Sequence, residues 1–281
     1  MNSYLEHNTK AWHFQRFKRG MIAPGSVVVI LGKKGAGKTT VLADICHSMR
    51  ACPEVTLFQK TYRTNPIFHD VVPGVFCYRR WKRGVVAEII RRAEKNNAKR
   101  LKQGRPPKYH TLIIDDLACD PEFLKDPQLE ELFMNARWLK LNILVTLQDA
   151  LKIHPALRNN TDWVFACKEN NPNARKRLKE HYFGLLGKDF DKIFDRVTHN
   201  RGVLVLNNTG LSTRIEDQYF FWCATNRNFH KMPGNDNPYP HKWRMGSKKY
   251  WAFHYQWYDK HHDRSSDAEA QTNDDELVIL R

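Results

Sequence analysis

Long apolar runs are missing from this sequence. No stretch approaches the ~20 consecutive apolar residues needed to cross a bilayer. Residues 1–20 are polar with scattered aromatics, where a signal peptide would carry an apolar segment. A soluble intracellular protein is therefore expected. Cysteine is present but unpaired in pattern: the six residues (Cys46, Cys52, Cys77, Cys119, Cys167, Cys223) stand singly, with neither C-x-x-C spacing nor the density of a secreted scaffold. That argues against a zinc ribbon and a disulfide framework, and for reduced thiols. His13, His47, His199, His261 and His262 form no ligand cluster, and no internal repeat is evident. Acidic residues are also in deficit, 30 against 46 Lys plus Arg in 281 residues, for a net charge of +16. An excess of that size favours a polyanionic partner, because each phosphate neutralised releases condensed counterions.

What is present is organised around Ser26 to Val41. The apolar run Val27–Leu31 ends at Gly32, and Gly-x-x-x-x-Gly-Lys-Thr follows at Gly32, Gly37, Lys38 and Thr39, with Lys33, Lys34, Gly35 and Ala36 between and Thr40 after. This is a P-loop. Its glycines let successive backbone NH groups turn inward as a nest for phosphate oxygens, and the helix after it aims its positive end at the same point. Lys38 is then placed to neutralise the β and γ phosphates, and Thr39 to offer its hydroxyl to Mg²⁺. A buried strand before the glycines and helical spacing after them supply the required context.

The acids such a loop needs come later. Tyr109 to Leu117 is an apolar run ending in Asp115-Asp116, the pattern of a Walker B strand. Asp115 is assigned to the metal and Asp116 to the water, since phosphoryl transfer needs both a metal ligand and a group that orients the nucleophile. Leu141 to Gln148 is another buried strand, and its terminal Gln148 is expected beside the γ phosphate as a sensor.

The rest of the chain alternates strands and helices. Strands are expected at Val55–Phe58, Gly74–Tyr78, Trp163–Cys167, Gly202–Asn207 and Asp217–Ala224, and helices after the P-loop, across 121–140 and across 173–183. This predicts an α/β fold with a mainly parallel central sheet covered by helices on both faces. Between them, Arg79 to Lys108 is the most basic stretch, with Arg91, Arg92, Lys95, Lys99, Arg100 and Arg105 among its cations against Glu88 and Glu94 alone. Val85, Val86, Ile89 and Ile90 give it one apolar stripe, leaving the cations on a face that reads equally as a phosphate-backbone contact or a solvated surface. Residues 239–258 interleave Trp243, Tyr250, Trp251, Phe253, Tyr255 and Trp257 with Lys and Arg, as an arm packed on the core or a stacking surface for bases. The expected organisation is a lead segment 1–24, a P-loop core 25–225, an aromatic and basic extension 226–262 and an acidic, disordered tail 263–281, whose Leu277-Val278-Ile279-Leu280 suits a docking peptide.

No Asn-Lys-x-Asp guanine-reading motif is present, which argues against a GTPase. The motif order instead resembles the HerA/FtsK superfamily of P-loop ATPases, and within it the poxvirus-type genome-packaging ATPases of large DNA viruses and virophages. The likeness rests on Gly32 to Thr39, Leu112 to Asp116, Asn135-Ala136-Arg137, Leu144 to Gln148 and Pro155 to Phe165, and spans about Gly25 to Ala224. It implies a RecA/FtsK-HerA-like core that hydrolyses ATP with Mg²⁺ as a homo-oligomeric, hexameric ring. Such a ring pulls double-stranded DNA into a preformed capsid, in contact with capsid or portal-vertex proteins, inside the infected host cell. It further implies an arginine acting across the subunit interface, with Arg137 the better candidate and Arg158 the second. Asp116 stands where many HerA/FtsK relatives have Glu. Two other readings stay open: a helicase-like ATPase on single-stranded nucleic acid, and an assembly scaffold that binds nucleotide without turnover.

Overall fold

β-Branched and leucine-rich runs can be buried on both faces only in the middle of a helix-covered sheet, and the chain places them there. The structure, a computed structural model, describes residues 4–7, 10–62, 65–69, 71–210, 212, 214–225 and 243–261. In chain order the elements are β1 (Tyr4–His7), β2 (Lys10–His13), β3 (Gln15–Arg16), β4 (Val27–Leu31), α1 (Lys38–Ser48), β5 (Glu54–Gln59), β6 (Cys77–Tyr78), α2 (Arg83–Lys102), β7 (His110–Asp115), α3 (Pro127–Leu139), β8 (Leu141–Leu147), α4 (Pro155–Asn159), β9 (Trp163–Ala166), α5 (Pro172–Tyr182), α6 (Phe190–Val197), β10 (Gly202–Asn207), α7 (Ile215–Gln218), β11 (Tyr219–Cys223) and α8 (Lys248–His261). Met232 to Tyr239 and the tail from 262 onward lie outside the described residues. Among the described residues no helix is long and apolar enough to cross a membrane.

Strands β1 and β2 form a hairpin of their own, and the other nine make one sheet in the order β3-β11-β10-β9-β4-β8-β7-β5-β6. From β9 to β6 every pairing is parallel. β10 runs antiparallel to both β9 and β11, and β3 closes the far edge parallel to β11. Two apolar layers flank the sheet. One gathers Val85, Val86, Leu132, Phe133, Phe190 and Phe194 with the strand residues facing them, and the other gathers Val41, Leu42, Ile45, Tyr250 and Met245 with the opposite strand face. Phe17, just after β3, sits edge-on to Trp163, Phe165 and Trp222 with ring centroids 5.1–5.4 Å apart. Rings in that geometry add about 1 kcal/mol per pair beyond their burial.

Caps set the helix boundaries. Asp126 accepts a hydrogen bond from the Gln128 amide with Pro127 in the first turn, so α3 begins there and not at Pro121. Asn171 caps α5 in the same way, and Lys140 in the left-handed region ends α3. Residues 74–76, expected as strand, form a 3₁₀ turn after Pro73, and only Cys77–Tyr78 pair with β5. Residues 217–218, also expected as strand, belong to the short α7; the hydroxyl of Ser212 donates to Asp217, at 2.7 Å.

Gly202 opens β10 straight out of a tight bend in which Asn200 and Arg201 both have positive φ. A Cβ at this position would lie 1.9 Å from the Val197 carbonyl oxygen, which is main chain and cannot swing away. Gly202→Ala is expected to destabilise the protein by at least about 2 kcal/mol. That corresponds to a fall of roughly 4–8 °C in Tm, read by thermal circular dichroism.

Candidate nucleotide site

A parallel sheet delivers the carboxyl ends of its strands to one edge, and the P-loop and both acids stand there. β4 exits at Gly32, whose amide donates to the Leu147 carbonyl at 3.1 Å. A Cβ on Gly32 would meet the Cβ of Cys167 at 2.9 Å, so the loop can lie this close to the β9 exit only without a side chain. Gly35 and Gly37 have space around them but φ of 79° and 94°, so they are required for conformation and not for room. Lys33, Lys34, Gly35 and Gly37 are exposed, and Ala36, Thr39 and Thr40 are half-buried. Helix α1 starts at Lys38 with no acidic residue in its first turn, which leaves its positive end uncompensated and facing the loop.

Lys38 is 92 % buried by area, with 8 % exposed, and its ammonium donates to the Lys33 carbonyl at 3.0 Å. Burial lowers its pKa from the usual lysine value, opposed by the nearby carboxylates of Asp116, Asp115 and Glu169. A desolvated cation aimed into a ring of amides is a strong receptor for an anion, because little water need be removed when the anion arrives.

The two acids are held by one threonine. Thr146 of β8 donates its hydroxyl to Asp115 at 2.6 Å and accepts the Asp116 amide at 3.0 Å. Gln59, at the end of β5, donates to the other Asp115 oxygen at 2.7 Å. Burial raises the Asp115 pKa above the usual carboxylate value, against the opposing pull of Thr146 and Gln59, with Asp116 adding to the rise and Lys38 reducing it. Asp116 has φ of 54°, a left-handed conformation that Asp tolerates better than most residues, and Gln148 donates to its Oδ1 at 2.8 Å. Gln148 therefore reaches the site through Asp116.

The donors fit a hard divalent cation. The Thr39 hydroxyl and the Asp115 carboxylate offer oxygen at the same end of the sheet, and Oε1 of Gln59 is buried with no partner. Among the described residues no group of three or more His, Cys, Asp or Glu forms a metal cage. The oxygen donors Thr39 and Asp115 are of the kind Mg²⁺ takes, an ion that keeps several waters and draws its remaining ligands from phosphate oxygens.

Three residues at this edge escape a reading by motif: Gln59, Thr146 and Glu169. Glu169 follows the β9 exit, is 6 % exposed, and accepts the amides of Asn170 and Asn171 at 2.8 and 2.9 Å. The available signal is that three of the apolar runs at this edge end in a polar residue, Gln59 closing β5, Asp115 closing β7 and Gln148 after β8.

Neither arginine stands at this edge. Arg137, late in α3, packs its Cα 3.1 Å from where a Gly25 Cβ would be, so it lies at the amino end of β4. Roughly 23 Å of extended strand separates Gly25 from Gly32. Arg137 donates to Asp162 at 2.9 Å, and the other Asp162 oxygen accepts the Val27 amide at 2.8 Å. Arg158 on α4 is half-buried and donates to the Ile153 carbonyl at 3.2 Å.

The aromatic stretch packs in the layer opposite α2, and Tyr250 also lines a cavity with Val85, Ile89 and Arg92 of α2. Trp243, Met245, Tyr250 and Trp251 are buried, Tyr250 stacks on Phe76 at 4.0 Å, and the Trp251 indole donates to the Met245 carbonyl at 2.8 Å. The cationic half of α2 is exposed, with Arg91, Lys95, Lys99 and Lys102 toward solvent.

No family model matches the chain. The uncharacterized protein 088R of invertebrate iridescent virus 3 is 30% identical over 210 residues, which cover 73% of this chain and 78% of that protein. The cytoplasmic domain of the type VII secretion ATPase EccC of Thermomonospora curvata superposes with a TM-score of 0.50 at 10% identity, over 88% of this chain and 32% of that one. The genome packaging NTPase B204 of Sulfolobus turreted icosahedral virus 2, in complex with AMPPCP, gives a TM-score of 0.45 at 13% identity, over 71% of this chain and 97% of that one. The fold is that of the α/β P-loop ATPases.

Proposed function

We propose that this chain, which belongs to the family of viral proteins that includes protein 088R of invertebrate iridescent virus 3, is an ATP-hydrolysing motor that moves double-stranded DNA into a preformed capsid. The observation that carries the reading is the convergence of the P-loop, Asp115, Asp116 and Gln148 on one edge of the sheet, where Thr146 bonds both acids and Gln148 bonds Asp116.

In this reading the amides from Gly32 to Gly37 cradle the phosphates, with Lys33, Lys34, Ala36 and Thr40 shaping the loop. Lys38 neutralises the β and γ oxygens. Thr39 and Asp115 would hold Mg²⁺, which would supply positive charge to offset what develops on the phosphate oxygens. Asp116 orients the attacking water, and Gln148 reports through its hydrogen bond to Asp116 whether the γ phosphate is present. The +16 charge supports a nucleic-acid track, and the burial of Trp243, Tyr250 and Trp251 reduces the stacking platform on which a single-strand preference would rest, with Tyr255 still exposed.

The test is phosphate release with Mg²⁺, measured with and without a long duplex and with a single strand of the same length. The expected result is stimulation by the duplex that weakens as salt is raised. Equal rates under all three conditions, in assembled protein, would defeat the DNA part of the proposal.

The motor is proposed to act as a ring, hexameric, docked on capsid or portal-vertex proteins of the infected cell. A ring joins different surfaces of the same chain head to tail, so an arginine remote from its own P-loop can face the next one. Arg137 is the first candidate and Arg158 the second. Arg137→Ala subunits are expected to lose about a hundredfold in turnover. The Arg137 side chain is 71% exposed in its pair with Asp162, so its loss should change stability by under about 1 kcal/mol. Mixing Arg137→Ala with Asp116→Ala subunits is expected to restore part of the activity. Restoration by Arg158→Ala subunits instead transfers the role to Arg158.

A further inference from the structure

Helices α2 and α3 pack against each other, and the later turns of α2 with Arg105, Pro107, Trp138 and Lys140 line a groove of about 760 Å³. Its floor is apolar and open: Leu101 is 80% exposed and Trp138 66% exposed. Its rim is cationic, with Arg91, Lys95, Arg105 and Lys140 around it and Glu94 as its acidic member. Two large apolar side chains inside a positive rim call for a ligand that is both aliphatic and acidic. A bare phosphate backbone meets the rim and leaves the floor wet. An uncharged apolar ligand meets the floor and leaves the rim unanswered.

One stretch of this chain has the matching composition. Asp274-Asp275-Glu276-Leu277-Val278-Ile279-Leu280 carries three acids followed directly by four aliphatic residues. We infer that residues 274–280 seat in the α2–α3 groove, the aliphatic residues over Leu101 and Trp138 and the acids against the cationic rim. The connection from the end of α8 allows it. Tyr250 of α8 lines one cavity with Ala93 and Asn97 of α2, which also line the groove; the helix from Tyr250 to His261 adds about 17 Å, and residues 262–273 span about 40 Å when extended. A segment tethered at that range is presented at roughly millimolar effective concentration, so modest intrinsic affinity suffices to fill the groove. The seat covers cations of α2 that any polyanion approaching this face also needs, so the segment and such a polyanion compete.

The test uses the full chain, with the exposed Cys119 and Cys223 changed to Ser. Under mild oxidation the pair Leu101→Cys with Val278→Cys is expected to form a disulfide in about tenfold higher yield than the control pair Met134→Cys with Val278→Cys, given the local concentration that seating imposes. The link is expected within one chain. A link between two chains still assigns the groove to this segment, supplied by a second copy. In parallel, Leu277→Ser with Ile279→Ser is expected to speed hydrogen exchange over residues 94–102 in the otherwise unaltered protein. No excess of cross-link over the control, with exchange unchanged by the two serines, overturns the proposal. Protection of 94–102 by a short DNA duplex together with that null result assigns the groove to nucleic acid instead.

Discussion

Lys38→Ala is expected to lower nucleotide hydrolysis by at least a factor of about 100 while the protein stays folded, because the change removes a preorganised charge from the point where negative charge builds up. The ammonium sits in a nearly dry cradle, donating to the Lys33 carbonyl, and its pKa is already lowered by burial. A charge held at that cost has little else to do for the fold, since the nearest carboxylates, Asp115 and Asp116, have Thr146, Gln59 and Gln148 as partners without it. Two opposing changes in stability follow. Alanine removes the desolvation penalty of a buried cation, and it leaves the cluster of Asp115, Asp116 and Glu169 without a nearby positive charge. The net change in Tm is therefore expected to be small, while binding of ATP weakens and phosphate release is lost. Phosphate release, a nucleotide-binding titration and a thermal melt, run on the same preparation, separate these effects. Near-normal turnover in Lys38→Ala would remove the P-loop from the chemistry altogether.

The second large effect is expected at Asp116, where two substitutions separate chemistry from backbone. Asp116→Asn keeps a residue that tolerates φ near 54° and can keep a hydrogen bond to Gln148, but it cannot accept a proton from water. Turnover is expected to drop by about 10² to 10⁴, the usual range for loss of a general base, with nucleotide binding retained. Asp116→Ala should lose turnover to the same extent and in addition cost about 1 kcal/mol, because alanine pays the left-handed strain without the local hydrogen bonds that offset it. A melt that distinguishes Ala from Asn, paired with equal loss of phosphate release in both, is the expected signature. If Asn retains most of the activity, the carboxylate charge is not what activates the water, and the role passes to another group at the same edge, with the buried Glu169 as the candidate.

Much of this site can be read from the chain because its parts are contiguous. The P-loop is a local pattern in which spacing determines geometry, and β4, β7 and β8 announce themselves as unbroken apolar runs because both their faces are covered. Gln59, Thr146 and Glu169 are not legible in that way. Each is a single polar residue on or just after a different strand, and only the lateral order β9-β4-β8-β7-β5 brings them to one place. Thr146 is hidden further by lying inside a buried strand, where a threonine passes for a β-former. The edges of the fold are hard to read for a related reason. Gln15–Arg16 have exposed side chains and no apolar run, and they become strand because Phe14 and Phe17 on either side are buried. Residues 74–76 have strand-like composition, yet the chain must still turn after Pro73 before it can pair with β5. At 121–125 the pattern suggested helix, whereas Asp120 is committed to the Trp81 and Glu122 amides and Asp126 to the α3 cap.

The outermost seam of the sheet joins Gln15–Arg16 to Phe220–Phe221, nearly the full length of the core apart in sequence. During synthesis, the stretch made first has to wait for a partner made some two hundred residues later. Until β11 has left the ribosome, Phe17 has no Trp222 to rest against, and the open flank of β10 is a surface onto which a second nascent chain can zip. The far edge of the sheet therefore closes only after synthesis has passed β11.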